Sequence, residues 1–113
     1  MKVRDIMTTN VACVNSSSPV TEAAQLMQKL NVGSIPVCDQ GGVIGMITDR
    51  DIVVRNVASG TDPNNTPVKD VMTQNITTVG PDADVSQVSG LMSQKQIRRV
   101  PVVENNALVG IVS

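Results

Sequence analysis

The chain contains no phenylalanine, tyrosine, tryptophan or histidine, and only two cysteines, Cys13 and Cys38. Each absence excludes something. Without aromatic rings, bases cannot stack as they do on RNA-binding sheets, so a planar ligand has to lie between aliphatic side chains. Without histidine there is no Ser–His or Cys–His nucleophile pair, and the commonest transition-metal ligand is missing. No catalytic residue and no metal site is expected. The cysteines lack a CxxC spacing and sit in apolar, strand-like runs, which reads as two small buried hydrophobes. No apolar run approaches the ~20 residues of a membrane-spanning helix. The opening MKVRDIMTTN has no signal-peptide core, so a cytoplasmic protein with no membrane partner is expected. Charge is also nearly balanced. Nine basic residues face ten acidic ones, for a net charge of -1, and no basic cluster exceeds the pair Arg98-Arg99. Non-specific nucleic-acid affinity needs many phosphate contacts, so no nucleic-acid partner is expected.

What is present is a duplication. A constant shift of 65 positions lays residues 3–48 on residues 68–113 without a gap, VRDIMTTNVACV on VKDVMTQNITTV and SIPVCDQGGVIGMIT on RVPVVENNALVGIVS. Twelve pairs are identical, among them Val3/Val68, Met7/Met72, Thr8/Thr73, Pro36/Pro101 and Gly45/Gly110. Such a unit buries its apolar face against its own copy. A composition of 41% hydrophobic and 17% charged residues suits one modest globular core.

Each copy reads as β-α-β-β-α. A short helical turn (3–8; 68–73) precedes a brief strand (11–14; 76–79). NSSSP and GPDAD then announce a helix through capping Ser or Asp. In the first copy Val20, Ala23, Met27 and Leu30 share one 3.6-period face; Val85, Val88 and Met92 match three of them, and Lys95 replaces Leu30. Two β-rich runs, 34–38 and 43–48, flank Asp39-Gln40-Gly41-Gly42 and predict a hairpin. A second helix is expected over 49–58, and GTDPNNTP reads as a connecting loop. The domain reading is 1–60 for the first repeat, 61–67 for the linker and 68–113 for the second repeat, which lacks its last helix. The sequence therefore reads as shortened, with roughly a dozen further residues expected, one ordinary helix. The fold class is α/β (α+β), two pseudo-twofold-related repeats in one compact domain, with a cleft lined by both.

VRDIMTTN and VKDVMTQN, the strands around Pro36 and Pro101, and GMITDRD with its shorter mate GIVS together resemble a tandem pair of cystathionine-β-synthase (CBS) domains, a Bateman module of the stand-alone bacterial kind. The resemblance spans the whole chain. Thr48 ends a strand and opens a helix, so its hydroxyl and the nearby N–H groups suit an anion. Asp51, one turn on, can accept both hydroxyls of a ribose. In the resembled family this Thr/Ser-x-x-Asp pair binds ribose and phosphate of adenosine ligands, and basic residues before the Pro-Val strand meet phosphates. That points to Arg98 and Arg99, whose planar, permanently charged forks suit phosphate. The first-copy equivalents, Gly33-Ser34, carry no charge, while the Asp expected three residues after Ser113 lies past the end of this sequence.

The resemblance also implies that each site borrows from the other copy. Thr48 and Asp51 are expected to be completed by Met72, Thr77, Ile97 and Arg98. Arg99, Ile111 and Ser113 are expected to be completed by Met7, Ala12, Val32 and Gly33. Methionine and aliphatic side chains would hold the adenine by packing. The implied function is a regulatory module that binds an adenosine nucleotide (AMP, ADP, ATP, S-adenosylmethionine or NAD), requires no cofactor, does no chemistry and acts on a regulated protein partner. The apolar helix positions Val20, Ala23, Met27, Val88 and Met92 are expected to support a homodimer. The rival reading is a ligand-free structural dimerisation module.

Overall fold

Val3 and Val68 open the two repeats, and both are completely buried. Each is buried in the core formed by the other repeat. The computed structural model describes residues 1–113, which pack as two units. The first unit is Ala12–Ile76, and the second joins Met1–Val11 to Thr77–Ser113. The packing boundary thus crosses the repeat boundary: each repeat lends its opening segment to the unit that holds its copy.

In the first unit, α1 (Val20–Leu30) leads into β1 (Ser34–Asp39) and β2 (Gly42–Thr48). The two strands form the expected antiparallel hairpin. Its loop is Gln40-Gly41, both at positive φ (53° and 82°), the two-residue turn whose twist suits flanking strands. The core gathers Val14, Val20, Ala23, Met27, Ile35, Val37 and Ile47 with Val68, Val71 and Met72 from the opening of the second repeat. Burying a side chain such as Val68 contributes about 1.5–3 kcal/mol. The second unit repeats the plan with α3 (Val85–Lys95), β3 (Val100–Glu104) and β4 (Ala107–Val112), turning at Asn105-Asn106, again at positive φ. Its core joins Val88, Val100, Val102 and Val112 to Val3, with Met7 packed against it.

Four expectations need correction. The brief strands at 11–14 and 76–79 are single parallel bridges, Val14 with Val37 and Val79 with Val102. Only one residue of each run lines up with its neighbour, so no ladder develops. The serines of NSSSP do not cap α1. Pro19 holds the N-cap position in an extended conformation, while Ser16 donates from its hydroxyl and its N–H to the Asp39 carboxylate (2.6 and 3.1 Å). Asp84 does cap α3, accepting from the Ser86 N–H at 2.9 Å. The helix over 49–58 is α-helical only at Asp49–Asp51 (α2), and Ile52–Val57 continues as a π-helix. The wider turn carries Asn56 fully inside, where its amide donates to the Thr61 hydroxyl at 2.6 Å, and leaves Val53, Val54 and Val57 exposed. Finally, Val20, Ala23, Met27 and Val88 are spent inside the cores and Met92 packs against one, whereas Leu30 is exposed.

Both hairpins bulge at the same place. The register shifts between Val37 and Cys38 and between Val102 and Val103, just before Gly45 and Gly110 are paired. A β-carbon on Gly45 would meet the Thr73 carbonyl oxygen at 2.7 Å and the Met72 sulfur at 3.0 Å. One on Gly110 would meet the Met7 sulfur at 2.7 Å and the Thr8 carbonyl at 3.0 Å. Glycine is required because the other repeat's Met-Thr step lies directly across it. Helical Gly90, by contrast, faces open space. Gly45→Ala and Gly110→Ala should each destabilise their unit by at least ~1–3 kcal/mol, the usual range for overpacking. Gly90→Ala should stabilise by about 0.5–1 kcal/mol through its helix propensity. Urea denaturation of the three variants checks the contrast.

Candidate functional site

The sequence Gly-Met-Ile-Thr-Asp-Arg-Asp takes the first unit from β2 into α2, and Thr48 is the last strand residue and the N-cap of the helix. Its hydroxyl accepts the Asp51 N–H at 3.0 Å, and the Asp51 carboxylate accepts the Thr48 N–H at 3.1 Å. This reciprocal capping box satisfies two otherwise orphaned donors. It also fixes the carboxylate at the mouth of the helix, 8% exposed.

The opening segment of the second repeat closes onto that junction. Thr73 forms an antiparallel bridge with Met46, donating its N–H at 2.8 Å and accepting at 2.9 Å. Its hydroxyl donates to the Asp51 carboxylate, 3.2 Å from both oxygens. Arg55, one turn beyond Asp51, donates to the carbonyls of Val71 (3.2 Å) and Met72 (3.0 Å), and its Nε lies 3.9 Å from Asp51 Oδ1. Asp51 is therefore shared between the helix cap and the exchanged segment. Oδ2 takes the Thr48 N–H, while Oδ1 meets only the shared Thr73 hydroxyl and the distant Arg55. An ionised carboxylate offers about four acceptor positions, so Oδ1 retains capacity for a further donor.

The expected residues divide between the units. Thr48, Asp51 and Met72 come together in the first, with Met72 buried against Gly45. Ala12, Val32 and Gly33 also belong to the first unit. Val32 packs against its core, and the Gly33 carbonyl accepts the Asp49 N–H at 2.9 Å. The second unit holds Met7, Thr77, Ile97, Arg98, Arg99, Ile111 and Ser113. There Met7 crosses Gly110, and Thr8 bridges Ile111 as Thr73 bridges Met46, with hydrogen bonds of 2.9 and 3.0 Å. Ile97 packs against that unit's core, and Thr77 is half-buried. Arg98 is exposed, whereas Arg99 is half-buried, and desolvation lowers its pKa from the ordinary arginine value.

Sequence reasoning missed Thr73 and Arg55. Both left a trace. Thr8/Thr73 is one of the twelve identical pairs and follows Met72, and Arg55 stands at i+4 from Asp51, the spacing at which helical side chains meet. Thr73→Val keeps the shape and removes the hydroxyl. It should cost about 1.5–3 kcal/mol, the range for a hydrogen bond to a charged group, read by thermal or chemical denaturation.

Known proteins share the sequence pattern and the fold. The CBS domain family matches residues 3–56 and again residues 68–113. The CBS domain-containing protein YhcV of Bacillus subtilis (strain 168) is 49% identical over 111 residues, covering 98% of this chain and 79% of that protein. A crystal structure of Hypoxic Response Protein I with two coordinated zinc ions is 38% identical with a TM-score of 0.92, covering 100% of this chain and 92% of that one. The CBS domain pair of protein MJ0100, solved in complex with 5′-methylthioadenosine and S-adenosyl-L-methionine, is 32% identical with a TM-score of 0.87, covering 100% and 89%. With both repeats matched and the fold shared, this chain belongs to the CBS domain family as a tandem pair.

Proposed function

We propose that the chain is a regulatory module that binds an adenosine-containing nucleotide and performs no catalysis of its own. The observation that carries this reading is Asp51, a buried carboxylate fixed at a strand-to-helix junction with acceptor capacity left on Oδ1. A ribose hydroxyl suits that capacity, and the N–H groups that follow Thr48 suit a polar or anionic group. Met72, buried beside this junction, is an adaptable apolar side chain that the proposal sets at the edge of the adenine, in a chain that has no aromatic ring to offer. The adenosine compounds bound by the MJ0100 pair are consistent with this class of ligand. In the second unit, Arg98 and Arg99 are the proposed phosphate-reading groups. A ligand that ties the exchanged segment to the helix start would shift the populations of module conformations, and a protein partner would read that shift.

A second reading has its own observation. Val53, Val54 and Val57 present an exposed apolar face on the π-helical stretch. A homodimer through this face is expected whether or not a ligand binds, and a ligand-free dimerisation module would have nothing else. Thermal shift with AMP, ADP, ATP, S-adenosylmethionine and NAD separates the readings, because a ligand that binds only the folded state raises the midpoint. At least one of the five should do so. Asp51→Asn should then weaken that ligand about tenfold or more in calorimetry, the equivalent of one charge-assisted hydrogen bond. Asn is the better probe than Ala because it keeps an acceptor for the Thr48 N–H and so spares the cap. Replacing both Arg98 and Arg99 with alanine should weaken ATP more than adenosine. No shift with any ligand, in a protein that sediments as a dimer, leaves the dimerisation reading.

A further inference from the structure

Cys13 and Cys38 lie 25 positions apart in sequence, yet the fold of the first unit brings them to positions that flank one bridge. Val14 makes a parallel bridge with Val37, donating its N–H to the Pro36 carbonyl at 3.1 Å and accepting the Cys38 N–H at 2.9 Å. Successive side chains of extended backbone point to opposite faces, so the residue before Val14 and the residue after Val37 share a face. On that face Cys13 follows desolvation among the causes that raise the Cys38 pKa. Only Cys38 is the buried hydrophobe that the sequence leads one to expect; Cys13, which lies in no helix or strand, is exposed. A groove of about 340 Å³ lined by Cys13, Glu22, Gln25, Leu26 and Lys29 opens the Cys13 side to small reagents. The pair is also confined to one unit, since the repeat-mates of Cys13 and Cys38 are Thr78 and Val103.

We propose that Cys13 and Cys38 form a reversible intramolecular disulfide when the folded protein meets a hydroperoxide. The exposed Cys13 sulfur attacks a peroxide oxygen; the O–O bond breaks, the thiol proton passes to the departing oxygen, which leaves as alcohol or water, and Cys13 becomes a sulfenic acid. The Cys38 sulfur then displaces hydroxide from the Cys13 sulfur, and the Cys38 proton leaves with that hydroxide as water. Two thiols are oxidised by two electrons and the peroxide is reduced by two. The order of events follows from the environments. Burial, reinforced by Cys13, pushes the Cys38 thiol up to about 12, so at neutral pH it is protonated and shielded, and the exposed Cys13 is the sulfur that meets the peroxide first; Cys38 gives up its proton only as it attacks. The bond would tie the segment before α1 covalently to β1, closing a loop that contains the whole of that helix.

The test uses the full chain, hydrogen peroxide and quenching with a maleimide, read by intact and peptide mass spectrometry. The expected product has lost two hydrogen atoms, carries no maleimide, joins the Cys13 and Cys38 peptides of one chain, and returns to two free thiols with dithiothreitol. Closure should be about tenfold or more faster in the folded chain than in urea, because folding has already closed the loop. Cys38→Val imitates the second repeat and keeps the core apolar. In that variant the Cys13 sulfenic acid should persist and be trapped by dimedone. Three results would overturn the proposal: Cys13 sulfinic acid with Cys38 still alkylatable, a disulfide between two chains, or equal closure rates with and without urea.

Discussion

Gly45 and Gly110 have no room for a side chain because the Met-Thr step of the other repeat lies across each. That close approach governs how the sequence folds. It allows Thr73 to bridge Met46 and Thr8 to bridge Ile111, and these bridges draw the opening turns toward the cores that bury Val68 and Val3. Neither hairpin core is complete with its own repeat alone. A duplicated sequence can therefore fold as one protein rather than as two independent beads, since each half supplies core residues that the other lacks.

The same exchange builds the candidate site. The hydroxyl of Thr73 arrives with the crossing segment and meets Asp51, whose position is set by the Thr48 cap. The helix cap and the proposed ribose contact are thus compatible at Asp51. The cap orients the carboxylate, the crossing threonine engages part of it, and the remaining acceptor capacity is what a ribose could use. Arg55 reinforces the junction from the helix side by holding the carbonyls of Val71 and Met72. Any ligand that touches Asp51 acts on a group already coupled to both repeats, which is the property a sensor needs.

Much of this was legible in the sequence, and what was not has physical causes. The gapless shift of 65 exposed the duplication, and the fixed offset carried over to matching hairpin turns, bulges and helix ends; Asn31 and Gln96 both close their helices at positive φ. Thr48 and Asp51 were readable because a capping box is a local signal. The bridges at Val14 and Val79 read as strands because apolar runs do not reveal how many residues find a partner. Ser16 looked like a cap because its alternative partner, Asp39, lies 23 positions away and only the fold brings it near. The π-helical turn depends on burying Asn56 against Thr61, and a polar residue inside a helix gives no sign of that in a periodicity plot. Thr73 is not legible as a site residue because a threonine in a loop carries no local signature of a carboxylate met through tertiary structure.

Hydrogen–deuterium exchange of the full chain, with and without a saturating adenosine nucleotide, tests the central claim most directly. The nucleotide should slow exchange at the start of α2 and in the crossing segment around Met72 and Thr73 together, because Asp51 links them. Binding accompanied by protection in other segments, with these two unchanged, would contradict the account.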